Sequence, residues 1–92
     1  MIYTVYVLYS YSFSKIYIGY SSNLIERMKS HNQLDEKGWT ARFRPWNVIY
    51  CEYFPDKASA MQREKALKGG RGRAWIHNRI EGQLKAQGFI SA

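Results

Sequence analysis

Three runs of the chain are dense in β-branched and aromatic residues, which is the composition typical of strands. They cover residues 2–9 (IYTVYVLY), 15–20 (KIYIGY) and 47–54 (NVIYCEYF). Only a turn of about four or five residues separates the first two runs, so they are expected to pair as an antiparallel hairpin. The pattern therefore predicts a small sheet of three strands.

The first predicted helix follows the second strand. Asn23 with Glu26 three residues later forms a capping-box pattern, and the helix is expected to run to about His31. Arg27 and His31 fall one turn apart, at the edge of the stripe expected to be buried. An arginine there is either neutralised by a carboxylate or ready to bind an anion, because an unpaired charge near a core is costly. The buried stripe is expected to consist of Leu24, Ile25 and Met28.

The second predicted helix begins after Asp56 as N-cap and stops at Gly69–Gly70. Its expected buried face consists of Ala60, Met61 and Leu67. Glu64 lies at the centre of that face. A carboxylate at such a position requires a cation, a metal or hydrogen-bond donors beside it. Glu64 is therefore either a site residue or half of a structural ion pair, for which Arg27 and Lys68 are the candidate partners.

A third helix is predicted from about Arg73 to Gln87, where Ile76, Ile80 and Leu84 are spaced by four. The element order β-β-α-β-α-α predicts an α+β fold, in which helices cover a small three-stranded antiparallel sheet. The connection 33–46 has no clean period and is expected to be a loop. Cations and aromatic rings alternate in it, which suits either nucleic-acid binding or a cover for the sheet. Those residues are Trp39, Arg42, Phe43, Arg44 and Trp46.

The hairpin brings two tyrosines together. If it turns through residues 10–13, Tyr9 pairs with Ser14 and Tyr6 lies opposite Tyr17. Both rings would then project from one face of the sheet. The opposed rings are either a packing contact or part of a site.

Composition narrows the class of protein. The 92 residues suit one domain (1–92), and 14 Lys and Arg against 7 Asp and Glu give a formal charge of +7. Such a charge attracts polyanions, nucleic acid above all, although a basic surface can also serve solubility alone. A single cysteine, Cys51, and no secretory signal indicate a reducing cytoplasm. No run reaches the roughly 18 apolar residues of a membrane span, and no serine-histidine-carboxylate or zinc-ligand spacing is present.

Three segments together resemble the GIY-YIG endonuclease superfamily, in particular its short single-domain bacterial members. They are TVYVLYS (4–10), KIYIGYSSNLIERMKSHN (15–32) and REKALK (63–68), so the resemblance covers about residues 1 to 70. The YIG triplet at 17–19 is intact. The first triplet reads Thr4-Val5-Tyr6 and keeps its tyrosine. Gly19 lets another group approach the backbone closely beside Tyr17.

The resemblance implies a role for each matching residue. Tyr6 and Tyr17 would lie together at the active site, one helping to activate the attacking water. Arg27 would steady the phosphate as negative charge grows, and His31 would accept a proton near the water-activating tyrosine. Glu64 would be the single protein ligand of Mg²⁺ or Mn²⁺, and no other cofactor is implied. The cations expected to contact nucleic acid are Lys15, Arg42, Arg44, Lys68, Arg71 and Arg73.

Three functions remain open at this point. The first is a metal-dependent endonuclease or nickase acting on duplex or branched DNA in bacterial DNA maintenance, with a partner protein supplying specificity. The second is a nucleic-acid-binding module that cleaves weakly or not at all. It is suggested because Ile76 stands near the position of the asparagine found in several family nucleases, and only Asn78 lies nearby. The third is a protein-interaction domain that uses its aromatic loop.

Overall fold

The computed structural model describes residues 1–34 and 39–86. Its strands are β1 (Tyr3–Ser10), β2 (Lys15–Ser21) and β3 (Asn47–Phe54). Its helical elements are α1 (Leu24–Lys29), a π-helical turn (Ser30–Leu34), α2 (Trp39–Arg42), α3 (Lys57–Lys68) and α4 (Gly70–Ala86). This order confirms the predicted α+β fold and adds the short helix α2 to the segment predicted as a loop. Residues 35–38 of that loop, and Gln87 at the predicted end of the third helix, lie outside the described residues.

The sheet has the strand order β2-β1-β3, and both pairings are antiparallel. In the hairpin, Tyr6 pairs with Gly19 and Leu8 pairs with Tyr17. The predicted pairing of Tyr6 with Tyr17 is therefore wrong by two residues, because the turn begins one residue later than expected, at Tyr11. A shift of two residues keeps every side chain on its predicted face, since side chains alternate with a period of two.

The central strand β1 is buried on both faces from Thr4 to Ser10. On one face, side chains of β1 and β2 pack against helices α3 and α4 in a cluster of Val5, Val7, Tyr9, Ile18, Ala60, Leu67, Ile76 and Ile80. On the other face, Tyr6, Leu8 and Trp46 form a second cluster, against which Tyr17 and Met28 pack. The sheet is thus the middle layer, and the candidate tyrosines belong to its second face.

Helix α1 begins as predicted, with the Asn23 side chain accepting a hydrogen bond from the Glu26 backbone N–H at 3.2 Å. The second half of the capping box is different, because the Asn23 N–H donates to Ser21 Oγ at 2.9 Å. The α-helix ends at Lys29, and the chain continues in the π-helical turn that contains His31. The predicted burial of Ile25 is wrong, since this side chain is 72% exposed.

Helix α3 also begins as predicted, with Asp56 accepting from the Ser59 N–H at 2.7 Å. The predicted stop of this helix is confirmed, since α3 ends at Lys68 with Gly69 as C-cap, but the next helix begins at Gly70 and not at about Arg73 as predicted. Gly72 explains the sharp junction: a Cβ there would lie 2.6 Å from the Leu67 carbonyl oxygen, so only glycine lets the two helices approach this closely. Within the described ranges, no helix combines the length and the apolarity that crossing a membrane requires.

Candidate active site

Tyr6 and His31 form the base of the candidate site. Tyr6 is completely buried on the central strand, and His31 is 2% exposed on the π-helical turn. The Tyr6 hydroxyl and His31 Nε2 are 3.1 Å apart, within hydrogen-bonding distance. A π-helical turn widens the helix locally and frequently occurs at functional sites.

Tyr17 lies beside this pair on the same face of the sheet. Its ring is stacked on that of Tyr6 with centroids 6.2 Å apart, and its centroid is 4.6 Å from that of His31. The prediction that the two tyrosines share one face is confirmed. Gly19 makes the arrangement possible, because a Cβ there would lie 2.7 Å from the Tyr6 hydroxyl oxygen and 3.0 Å from Tyr17 Cε1.

Arg27 reaches this cluster from an exposed position on α1. Hydrogen bonding to the Tyr6 phenol raises the pKa of the Arg27 guanidinium, and the Tyr17 phenol contributes in the same direction. Because a guanidinium can only donate, the Tyr6 oxygen accepts from Arg27. The same hydroxyl group is bonded to His31 Nε2, in a direction set by the His31 tautomer, so a chain of hydrogen bonds runs from Arg27 through Tyr6 to His31.

Burial raises the pKa of Tyr6 above its usual value, and Arg27 offsets part of the effect. The negative charges of an ionised Tyr17 and of Glu64 act in the same direction as burial. Glu64, on α3, therefore lies within electrostatic range of Tyr6. Tyr6 remains a neutral phenol at neutral pH in this environment.

Glu64 lies at the margin of the site. Its side chain is 17% exposed, and its Oε1 accepts from Lys68 Nζ at 2.7 Å, while the Lys68 side chain is 48% exposed. Glu64 is mostly covered, as a place on the buried side of α3 requires, but it lies beside the fully buried Ala60 and Leu67 and not at the centre of that face. Of the two predicted ion partners, Lys68 is the one found.

An open pocket of about 270 Å³ lies beside Lys68, the ion partner of Glu64. It is lined by Ile16, Tyr17, Ile18, Lys68 and Arg73. Tyr17 thus has one edge in the buried cluster and one in this pocket. The structure brings four of the five predicted residues into one cluster, Tyr6, Tyr17, Arg27 and His31, and it places Glu64 of α3 within electrostatic range of Tyr6.

The other predicted nucleic-acid contacts divide into two groups. Lys15 and Arg42 each lie over the Phe43 ring, at 5.4 and 5.6 Å from its centroid. Arg71 belongs to a separate pocket of about 290 Å³ that Arg63 and Trp75 also line. These cations are exposed and remain predicted contacts.

Arg44 does not fit its predicted role. Its guanidinium donates to the carbonyl oxygens of His31 at 2.6 Å and of Ser30 at 3.1 Å. These bonds hold the π-helical turn, so Arg44 serves to position His31. Trp46 is 2% exposed and covers the sheet, which was one of the two readings of the aromatic loop. The Trp39 side chain lies outside the described part of the chain.

Asn32 is a positioning residue that sequence reasoning missed. Its side chain accepts from the Trp46 N–H at 2.7 Å and donates to the Trp46 carbonyl at 3.2 Å. Together with Arg44, it ties the π-helical turn to the segment before β3. The only sequence signal was an amide residue next to His31 at the predicted end of a helix.

Neither of the two residues near the position of the family asparagine, Ile76 and Asn78, lies at the candidate site. Ile76 is 2% exposed and packs in the core beneath the sheet, whereas Asn78 is exposed on α4. Neither residue belongs to the cluster around Tyr6.

Comparison with known families decides the assignment. The family model of the GIY-YIG catalytic domain matches residues 2–78. The chain belongs to the GIY-YIG family. This is a family of nucleases, and the matched range includes every residue of the candidate site.

Relatives of this GIY-YIG chain are found among UPF0213 proteins. One from Staphylococcus haemolyticus is 34% identical over 55 residues, which are 60% of this chain and 67% of the relative. One from Bacillus velezensis is 34% identical over 55 residues and is matched over 56% of its length. The chain thus spans about half to two thirds of the length of these relatives. The solution NMR structure of a UPF0213 protein from Bacillus halodurans matches 100% of this chain and 99% of its own, with a TM-score of 0.54 and 23% identity, which supports the fold.

Proposed function

We propose that this protein is a metal-dependent DNA endonuclease that hydrolyses or nicks phosphodiester bonds. The observation that carries the proposal is the convergence of two phenols, a guanidinium, an imidazole and a carboxylate at one solvent-reachable site. Hydrolysis of a phosphodiester requires an activated water, positive charge on the non-bridging oxygens and stabilisation of the leaving oxygen. Each requirement has a candidate group here.

Tyr17 is the phenol suited to contact the attacking water. It is half-buried and reaches the open pocket, whereas Tyr6 has no exposed surface. Tyr6 is instead a positioning residue that orients His31 and Arg27 through its hydroxyl group. His31, packed against the Tyr17 ring, is the group proposed to accept a proton as the water attacks.

Arg27 is suited to bind the phosphate. It is exposed, permanently charged and anchored at one end by the buried Tyr6 phenol. Charge that develops on the non-bridging oxygens would therefore meet a guanidinium already held in place. Such preorganised positive charge commonly contributes about 10²-fold or more to the rate.

Glu64 is the residue that would hold a divalent cation. Among the described residues no group of three or more His, Cys, Asp or Glu side chains converges, so the site does not suit zinc. Mg²⁺, in contrast, is often bound by one or two carboxylates and keeps several waters. The partly exposed Glu64 fits that demand, and a bound cation would stabilise the charge on the leaving oxygen.

DNA is the proposed substrate because of charge. The chain carries a formal charge of +7, and exposed Lys15, Arg42, Lys68 and Arg73 lie on elements around the site. Contacts of this kind bind phosphates without reading sequence, so specificity would come from the shape of the DNA or from a partner protein. The half-buried Cys51, free of a disulfide, suits the reducing cytoplasm in which such an enzyme would act.

Nicking of supercoiled plasmid in Mg²⁺ or Mn²⁺ tests the proposal. Glu64→Ala and Tyr17→Phe should each lower the nicking rate by about 10²-fold or more while DNA binding persists. Matched controls are Glu81→Ala, an exposed acid on α4, and Tyr53→Phe, a tyrosine that is 69% exposed on β3. Wild-type nicking rates in both site variants would contradict the proposal.

A binding module without cleavage is the second candidate. The buried Ile76 near the asparagine position favours it. Its signature would be salt-sensitive DNA binding with no nicking in either metal, on plasmid and on branched substrates.

A further inference from the structure

Lys68 occupies a position between two parts of the site. Its ammonium group lies 2.7 Å from Glu64 Oε1, and the same side chain lines the pocket that Tyr17 and Arg73 also line. The ion pair is not enclosed, since the Lys68 side chain is 48% exposed. A divalent cation bound by Glu64 would meet this ammonium group as a competitor.

The backbone of Lys68 is fixed although its side chain is not. Lys68 is the last residue of α3, and its carbonyl oxygen accepts from Arg73 Nε at 2.9 Å. From this anchor, the long and flexible lysine side chain has a partner on each side: Glu64 one turn back, and the pocket in front. Moving the ammonium between them requires no change in the backbone.

The pocket has the chemistry of an anion site. Two cations, Lys68 and Arg73, line its approximately 270 Å³, and none of the residues that line it is acidic. Arg73 Nε bonds to the Lys68 carbonyl, which leaves the terminal amino groups of its guanidinium as the donors for a ligand. The Tyr17 phenol adds a further polar group.

We propose that Lys68 is an exchangeable counter-ion. It neutralises Glu64 in the metal-free protein; when Glu64 binds a divalent cation, the Lys68 ammonium moves into the pocket with Tyr17 and Arg73. There it binds a DNA backbone phosphate. The inference rests on the proposed nuclease function and adds a second phosphate contact that forms only in the metal-bound state. Because coupling is reciprocal, metal and DNA each increase the affinity for the other.

The first test measures metal binding without DNA. Titration of Mn²⁺, followed by electron paramagnetic resonance, should show Lys68→Met binding Mn²⁺ roughly two- to fivefold more tightly than wild type. This range corresponds to the energy of a partly exposed ion pair. Lys65→Met removes the same charge from an exposed position of the same helix and should change the affinity less. Lys68→Arg keeps the pair and should resemble wild type.

The second test measures binding of a labelled duplex against salt. All variants carry Arg27→Ala so that the duplex is not cut. With Mn²⁺, adding Lys68→Met should reduce the salt slope by about 0.9, the value for one lost phosphate contact. Without metal it should leave the slope unchanged, because Lys68 is then held by Glu64. Adding Lys65→Met should change the slope equally under both conditions.

The outcomes separate this inference from the proposed function. If Glu64→Ala abolishes Mn²⁺ binding while Lys68→Met leaves it unchanged, the counter-ion role is overturned and the metal site stands. If Lys68→Met binds Mn²⁺ more tightly without changing the slope in Mn²⁺, the phosphate contact is overturned. If Glu64→Ala binds Mn²⁺ like wild type, the proposed metal site fails, and the inference fails with it.

Discussion

Gly19→Ala tests whether the packing of Tyr6 and Tyr17 requires a residue without a side chain at position 19. A Cβ at this position would lie 2.7 Å from the Tyr6 hydroxyl oxygen, 2.9 Å from Tyr6 Cζ and 3.0 Å from Tyr17 Cε1. Carbon atoms in good contact are about 3.5 to 4.0 Å apart, so each contact is too short by roughly 0.5 to 1 Å. Tyr6 is completely buried, so a shift of its ring must displace side chains that pack around it, such as Leu8 and Trp46.

Overpacking of this kind typically costs about 1–3 kcal/mol. Replacing glycine also restricts the unfolded chain, which returns about 0.4–1 kcal/mol. We therefore expect Gly19→Ala to lower the free energy of unfolding by roughly 1–2 kcal/mol. The displaced Tyr6 ring should also weaken the contact with His31, and nicking should fall further than stability alone explains.

Urea unfolding of Gly19→Ala and Gly82→Ala provides the measurement and its control. No atom lies within 4 Å of a Cβ added at Gly82, which is exposed within α4. This second change should stabilise the protein by about 1 kcal/mol, because glycine is a poor helix former. Equal effects of the two substitutions would refute the reasoning.

Three further substitutions test other parts of the structure. Burial raises the pKa of Tyr6 above that of tyrosine in the unfolded chain. The contribution of the neutral Tyr6 phenol to the free energy of unfolding is therefore fully present below about pH 10 and is lost as the pH rises further. Tyr6→Phe should lose less stability than wild type over this alkaline range. Urea unfolding at about pH 8 and about pH 10.5 measures the difference. Asn32→Ala should cost about 1–3 kcal/mol in thermal unfolding, because the Trp46 N–H and carbonyl would lose their partner. Gly72→Ala should cost more than about 2 kcal/mol, since its Cβ would overlap the backbone of Leu67, which cannot rotate away.

Each of these predictions has a matched control. Tyr53→Phe, at a tyrosine that is 69% exposed, should leave the alkaline loss as in wild type. Asn78→Ala, at an exposed position on α4, should change stability by less than about 0.5 kcal/mol. Gly69→Ala has its nearest atom at 3.5 Å and should be tolerated. If a control variant changes stability as much as its test variant does, the corresponding argument is contradicted.

The helix starts were predictable because their causes are local. A cap needs only a side chain and a backbone N–H a few residues away, and Asn23 and Asp56 both form these bonds. The shared face of Tyr6 and Tyr17 was predictable for a similar reason, since it depends on the two-residue period of a strand. The register in which their two strands pair was not predictable, because no Asn-Gly or Asp-Gly signal fixes the hairpin turn.

The burial of single helix positions was less predictable because it depends on distant contacts. A stripe of apolar residues gives a helix face to within about 100°, but packing against the sheet decides which edge is covered. Ile25 and Met61 are 72% and 39% exposed for this reason, and Glu64 lies beside the core. The start of α4 at Gly70 also escaped prediction: the glycine pair ends α3 as expected, but Gly72 lets the next helix begin at once and pack closely against the end of α3.

The two layers of the candidate site differ in how firmly they are held. Tyr6 and His31 are buried, bonded to each other and fixed by the strand and by the π-helical turn. At the rim, Lys68 reaches the site from an exposed position through a long side chain, whereas Arg27, exposed as well, is anchored by the Tyr6 phenol. In the proposed mechanism, a rigid base would fix the geometry of proton transfer, and an adaptable rim would adjust to a phosphate backbone of variable shape. This division predicts that substitutions at the base reduce the rate of cleavage more than DNA affinity, and that substitutions at the rim change both.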